Sequence, residues 1–115
     1  MCIDITRNPS VTPKSLSLPG RVEVCFEMNS ATNTIVEIIY RAGSGIRILS
    51  NGVPVKSVSR TLTFSGTQEV CEFLHLVSAD GNGEGVHEIE IEIREPGCPT
   101  IRLGGVVVVT ANAGV

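Results

Sequence analysis

Between Val86 and Arg94, Ile89, Ile91 and Ile93 alternate strictly with Glu88, Glu90 and Glu92. A strand sends successive side chains to opposite faces, whereas a helix gathers positions three and four apart. Only a half-buried strand turns this zigzag into one apolar face and one polar face. The pattern recurs along the chain. From Arg21 to Met28, Val22, Val24, Phe26 and Met28 fall opposite Arg21, Glu23, Cys25 and Glu27. From Thr34 to Arg41, Val36, Ile38 and Tyr40 oppose Glu37 and Arg41, with Ile35 and Ile39 interrupting the polar side. Gly45 to Ser50 reads as a short strand closed by Asn51-Gly52, a dipeptide that accepts the positive φ of a hairpin turn. Val53 to Phe64 reads as one long strand with Val58, Leu62 and Phe64 inward, and Gln68 to Val77 follows after Ser65-Gly66-Thr67. Thr100 to Thr110 is the last strand, and Gly104-Gly105 within it signals a bulge or a change of sheet.

With an N-terminal strand at Ile3 to Thr6 or Ser15 to Leu18, the count reaches seven or eight. Composition agrees: 15 Val, 11 Ile and 9 Thr stand against 7 Leu and 5 Ala in 115 residues. β-Branched side chains suit a pleated surface and lose rotamer freedom in a helix. The spacing of strands and turns predicts an all-β fold, a two-sheet sandwich of mostly antiparallel strands with essentially no helix. One domain over residues 1–115 is expected, with 1–13 as an extended arm or edge strand, because Pro9 and Pro13 cannot donate to a ladder.

A net charge of −3 argues against binding a nucleic-acid backbone. No apolar run approaches the roughly 18 residues of a membrane helix, so no membrane insertion is expected. Asp4 interrupts the N-terminal stretch, which therefore lacks a signal-peptide core. Met1 is compatible with a native start and equally with a domain excised from a longer chain. Cys2, Cys25, Cys71 and Cys98 fall at irregular intervals without a CxxC pair, so a zinc site is not expected. Cys25 and Cys71 would bridge if their strands were neighbours; the reading favoured is four reduced thiols packed as small hydrophobes.

Leu18-Pro19-Gly20 before a strand, and Thr61-Leu62-Thr63-Phe64-Ser65-Gly66-Thr67-Gln68 leading into the next, resemble the immunoglobulin-like sandwich modules of bacterial surface and phage virion proteins. In the second half, Thr61 to Phe64, the acidic turn Glu84-Gly85-Val86-His87-Glu88, and the closing Leu103-Gly104 with Val107 to Val109 are similar to a Calx-β module. The paired Asp segments that bear on calcium in that family have no counterpart, and without tryptophan there is no antibody-type Cys…Trp…Cys framework. The resemblance implies a sandwich fold and leaves activity open.

Asp80-Gly81-Asn82-Gly83-Glu84-Gly85 sets oxygen-bearing side chains at alternate positions. Ca²⁺ seeks six to eight oxygens, and the first half of an EF-hand-type loop presents them at this spacing. Asp80, Asn82 and Glu84 are thus the candidate ligands, although Ile91 occupies the place of the twelfth-position carboxylate. The weightier reading is a glycine-rich strand connection, with no cofactor. Glu88, Glu90 and Glu92, extended by Glu95, form an acidic stripe expected to be a solvated face paired with Lys56, Arg60, Arg41 or Arg47. His75 and His87 belong to no nucleophile motif. Cys71 and His75 share a strand face roughly 13 Å apart, too far for a hydrogen bond, so no enzyme is expected. Sugar rings stack on exposed aromatic faces, and Tyr40 plus three phenylalanines expected in the core leave little for them.

The expected function is a non-enzymatic structural module that associates with itself or a protein partner through sheet edges and loops. A virion decoration protein or a subunit of a self-assembling layer or filament fits this best, at a virion or extracellular surface. Met1 to Arg7 and Val106 to Val115 are the expected contact elements. A calcium-stabilised surface adhesion domain is the alternative, and a carbohydrate-binding accessory domain comes third.

Overall fold

A computed structural model describes residues 1–79 and 84–112. Its strands are β1 (Asp4–Thr12), β2 (Ser15–Leu18), β3 (Gly20–Ala42), β4 (Ile46–Ser50), β5 (Val53–Val55), β6 (Ser57–Ser78), β7 (Gly85–Arg94) and β8 (Ile101–Asn112). No helix occurs among the described residues. The hydrogen-bonded order is β2-β8-β7-β3-β6-β4-β5, with β1 on β3. Every pairing is antiparallel except β2 with β8.

Two very long strands make this one ladder into two layers. β3 and β6 pair from Gly20↔Leu76 to Arg41↔Ser57, with a register break between Ser30 and Thr34. There Ala31, Thr32 and Asn33 stand opposite Ser65 alone, and Gly66 takes a φ of +73°. Ser30 is buried at this corner and its hydroxyl donates to the Thr32 carbonyl at 2.7 Å. Arg60 Nε lies 3.3 Å from Glu72 Oε1, although twelve residues of straight strand would span about 40 Å. β6 therefore folds over, and this ion pair links the two layers. The first layer holds β1, residues 20–30 of β3, residues 66–78 of β6, β4 and β5. The second holds β2, β8, β7, residues 34–42 of β3 and residues 57–64 of β6.

The segments expected as separate strands, Arg21 to Met28 and Thr34 to Arg41, are thus two halves of β3. Likewise, Val53 to Phe64 is broken at Lys56, and its second part runs on through Gly66 to Ser78. A glycine marks a bend as readily as an end. Side-chain alternation is as the sequence predicts: Val22, Val24, Phe26 and Met28 face Val36, Ile38 and Tyr40 across the core, with Ile89, Ile91 and Ile93. The Asn51-Gly52 turn has both residues at positive φ, 52° and 79°, and pairs Ser50 with Val53. Gly104 and Gly105 bulge opposite Glu90, since Ile89 pairs with Val106 and Ile91 with Leu103.

Tyr40 is fully buried and its hydroxyl has no hydrogen-bond partner among the described residues. Burial, reinforced by the Glu72 carboxylate and opposed by Arg60, raises its pKa. Tyr40→Phe keeps the ring and deletes an unsatisfied polar atom. The expected result is unchanged or higher stability, by up to about 1 kcal/mol, in a denaturant titration.

The expected free thiols are instead two disulfides, Cys2–Cys98 and Cys25–Cys71. Cys25 and Cys71 are direct cross-strand partners. Cys2–Cys98 fastens the N-terminus to the β7–β8 connection across 96 positions of sequence. Both pairings depend on which strands become neighbours, and cysteine spacing carries no such information.

Candidate interaction surface

Strand edges without a ladder partner among the described residues include β1, β2, β5, residues 101–108 of β8, and residues 57–64 and 66–75 of β6. The 66–75 edge carries Glu69 and Glu72, and the 101–108 edge is broken by the Gly104–Gly105 bulge. Three of the others are blunted. β1 carries Pro9 and two register breaks. β2 has four residues between Pro13 and Pro19, and β5 has three, one of them Pro54. Prolines, bulges and shortness are ordinary means of keeping an edge from pairing. Ser57–Phe64 has none of these and only one charge, Arg60, which turns inward to Glu72. Ser57, Ser59, Thr61 and Thr63 line its exposed outer face, while Val58 and Phe64 are buried.

This moves the expected contact elements. Met1 to Arg7 does enter an edge strand, but a bulged one. Residues 106–110 pair with β7, and β2 covers the other side of residues 109–112 only; residues 113–115 lie outside the described residues. Sequence alone could not show that Ser15–Leu18 covers residues 109–112.

Beside the β6 edge, the outer face of the second layer holds a cleft of about 370 Å³. Ile35, Val36, Thr61 and Pro96 line it together with Glu37, Arg94 and Glu95. Ile35 is half exposed there. Glu95 sits at the base with both carboxylate oxygens engaged: Ile3 N–H donates to Oε1 at 2.9 Å and the Thr34 hydroxyl to Oε2.

The acidic stripe is not uniformly solvated. Glu88 is exposed, Glu90 half-buried, and Glu92 fully buried although it points to the outer face. Three guanidinium groups cover it: Arg41 Nη1 at 2.9 Å, Arg94 Nε at 2.6 Å and Arg102 Nη2 at 3.5 Å. Arg41 was among the partners expected from sequence. Arg60 instead holds Glu72, Arg47 donates to the Ser44 and Ile46 carbonyls, and Lys56 has no ion pair among the described residues. Arg94 and Arg102 were missed because their approach depends on same-strand spacing and on the register of β8. With both oxygens held by arginines, Glu92 is a structural anion rather than a proton-transfer group.

Burial acts to raise the Glu92 pKa. The hydrogen bonds from Arg41 and Arg94, with their charges, outweigh burial and hold it below the ordinary value of 4.5. A carboxyl depressed on folding stabilises the protein above its unfolded pKa, and that contribution disappears as pH falls through the folded pKa. Melting temperature should therefore drop as pH is lowered below about 4.5. In Glu92→Gln that acid limb should be shallower, with a lower melting temperature at neutral pH.

Of the candidate calcium ligands, Glu84 is exposed and Asp80 and Asn82 lie outside the described residues. His75 is exposed opposite Arg21, His87 is half-buried on β7, and Cys71 is held in a disulfide. Phe73, expected in the core, is 52% exposed, and the Arg21 guanidinium stacks on its ring at 4.4 Å. Its position on β6 matches the outward parity of Cys71 and His75.

No protein-family model and no curated protein matches the sequence. Solved structures do. The alkylpurine DNA glycosylase AlkC of Pseudomonas fluorescens, solved bound to DNA containing an abasic site analogue, aligns with a TM-score of 0.57 at 18% identity. That alignment takes in 94% of this chain but only 30% of the glycosylase, so the likeness is to a part of that protein. The C-terminal domain of wzt aligns at 0.56 with 12% identity, covering 96% of this chain and 74% of that one. The cupredoxin domain of amoB from Nitrosocaldus yellowstonii aligns at 0.54 with 10% identity, covering 96% and 87%. The chain is an immunoglobulin-like β-sandwich. At these identities the likeness establishes fold alone, and no virion or cell-surface type is singled out.

Proposed function

We propose that this immunoglobulin-like sandwich is a non-enzymatic assembly module that works by strand addition at residues 57–64 of β6. The observation that carries the reading is that, among the open edges of the described residues, this one combines regular pairing geometry, a single charge and no proline. An incoming antiparallel strand finds unpaired backbone groups there, and hydroxyl side chains suited to cross-strand pairs. The adjoining cleft at Ile35 and Pro96 supplies a subsite for one outward side chain of the added strand. A second copy of the chain satisfies these requirements as well as a partner protein does. A self-assembling layer or a virion decoration protein is the setting that such an edge suits.

Light scattering across a concentration series tests this, coupled to hydrogen exchange. The native chain should associate, and amides of 57–64 should gain protection on association. Thr61→Lys/Thr63→Lys should shift the population to monomer with an unchanged melting temperature. A strict monomer at the highest concentration would exclude self-assembly. Association without added protection at 57–64 would remove this edge from the account.

A further inference from the structure

Cys25–Cys71 lies on the outer face of the first layer, Cys71 exposed and Cys25 half-buried, where no core packing depends on it. Their Cα atoms are 4.1 Å apart as direct partners in an unbroken ladder from Gly20↔Leu76 to Ser30↔Gly66. The backbone, not the sulfur–sulfur bond, keeps these side chains opposed. Beside them stands Glu23, two residues before Cys25 on the same face and without an ion pair among the described residues. A Glu23 carboxylate oxygen and the two sulfur atoms all lie within 4.8 Å of one another. Nearby Glu27 and Glu69 are both approached by Arg7, which leaves Glu23 as the unneutralised carboxylate.

We infer that Cys25–Cys71 is a redox-gated cation site, closed as the disulfide and open to a zinc-class divalent ion as the dithiol. A dithiol reductant attacks the exposed Cys71 sulfur as its thiolate, displacing Cys25 and forming a mixed disulfide. Its second thiol then displaces Cys71. The reductant leaves as its own disulfide, and two electrons and two protons pass to the protein. Glu23 disfavours a bare pair of thiolates at this point, but it favours the pair once a cation replaces the two thiol protons. A tetrahedral zinc dithiolate places its sulfurs about 3.8 Å apart, a span that directly opposed strand residues provide. Cys25, Cys71 and Glu23 give three ligands and leave the fourth position to water.

The test uses the whole chain, treated with dithiothreitol that is then removed without oxygen. Alkylation and mass analysis should find Cys25 and Cys71 free, with Cys2–Cys98 intact and the far-ultraviolet circular dichroism unchanged. Added Co²⁺ should give a thiolate-to-cobalt charge-transfer band that Zn²⁺ abolishes. The band should be absent in Cys71→Ser, and in Glu23→Gln it should persist with weaker binding. Resistance to reduction, loss of fold on reduction, a reduced protein without the band, or a band that survives Cys71→Ser would each overturn the inference.

Discussion

Phe26→Ala is expected to destabilise the protein by about 3–5 kcal/mol, the range for truncating a fully buried phenylalanine. Phe26 has no exposed surface and belongs to the first-layer row that meets Val36, Ile38 and Tyr40 of the second. Both layers are built partly from the same strand, β3, so a void at their interface cannot close by sliding one sheet over the other. The Ser30–Thr34 corner ties them. A small domain has only about 5–15 kcal/mol in total, so this change takes a large fraction. A denaturant titration should show a lower midpoint with a similar slope. A loss under about 1.5 kcal/mol would mean that the layers do relax into the space.

The second large effect is expected at Cys2–Cys98. Replacing both residues by serine reopens a loop of 96 residues in the unfolded chain. The chain-entropy description assigns about 4.7 kcal/mol to a loop near that size, and measured losses run about 2–5 kcal/mol. The bridge also keeps Ile3 in the core and its N–H on Glu95, so the double variant should fray from β1. Hydrogen exchange should show early loss of protection in Asp4–Thr12 while the β3–β6 ladder holds. Uniform protection with an unchanged melting temperature would reduce the bridge to a surface ornament. The same substitution at Cys25–Cys71 should cost less, because that pair is already opposed within a ladder.

Most of the core was legible in the sequence. Val22 to Met28, Val36 to Tyr40 and Ile89 to Ile93 reveal their inward sides through period two, and the structure buries those residues. Asn51-Gly52 announces its turn because only certain residues tolerate two consecutive positive φ values. The candidate site was much less legible. Unpaired backbone is a property of neighbours, so the fate of the end of β8 hinged on β2, whose residues pair with others 94 positions further along the chain. Glu92 looks like Glu88 and Glu90 in the alternation, yet register places Arg41 and Arg102 over it and leaves Glu88 exposed.

The sequence by itself determined the secondary structure class and the inward side of the clearly alternating segments. Those follow from local rules: how side chains alternate, which residues turn, and which cannot donate a hydrogen bond. Only the tertiary structure decided that two strands run through both layers, which cysteines meet, which edges stay open, and which carboxylate is enclosed by arginines. Each of these depends on residues far apart in the chain arriving at one place. Their positions follow from how the long ladder folds across its corner, not from any neighbouring pair of letters.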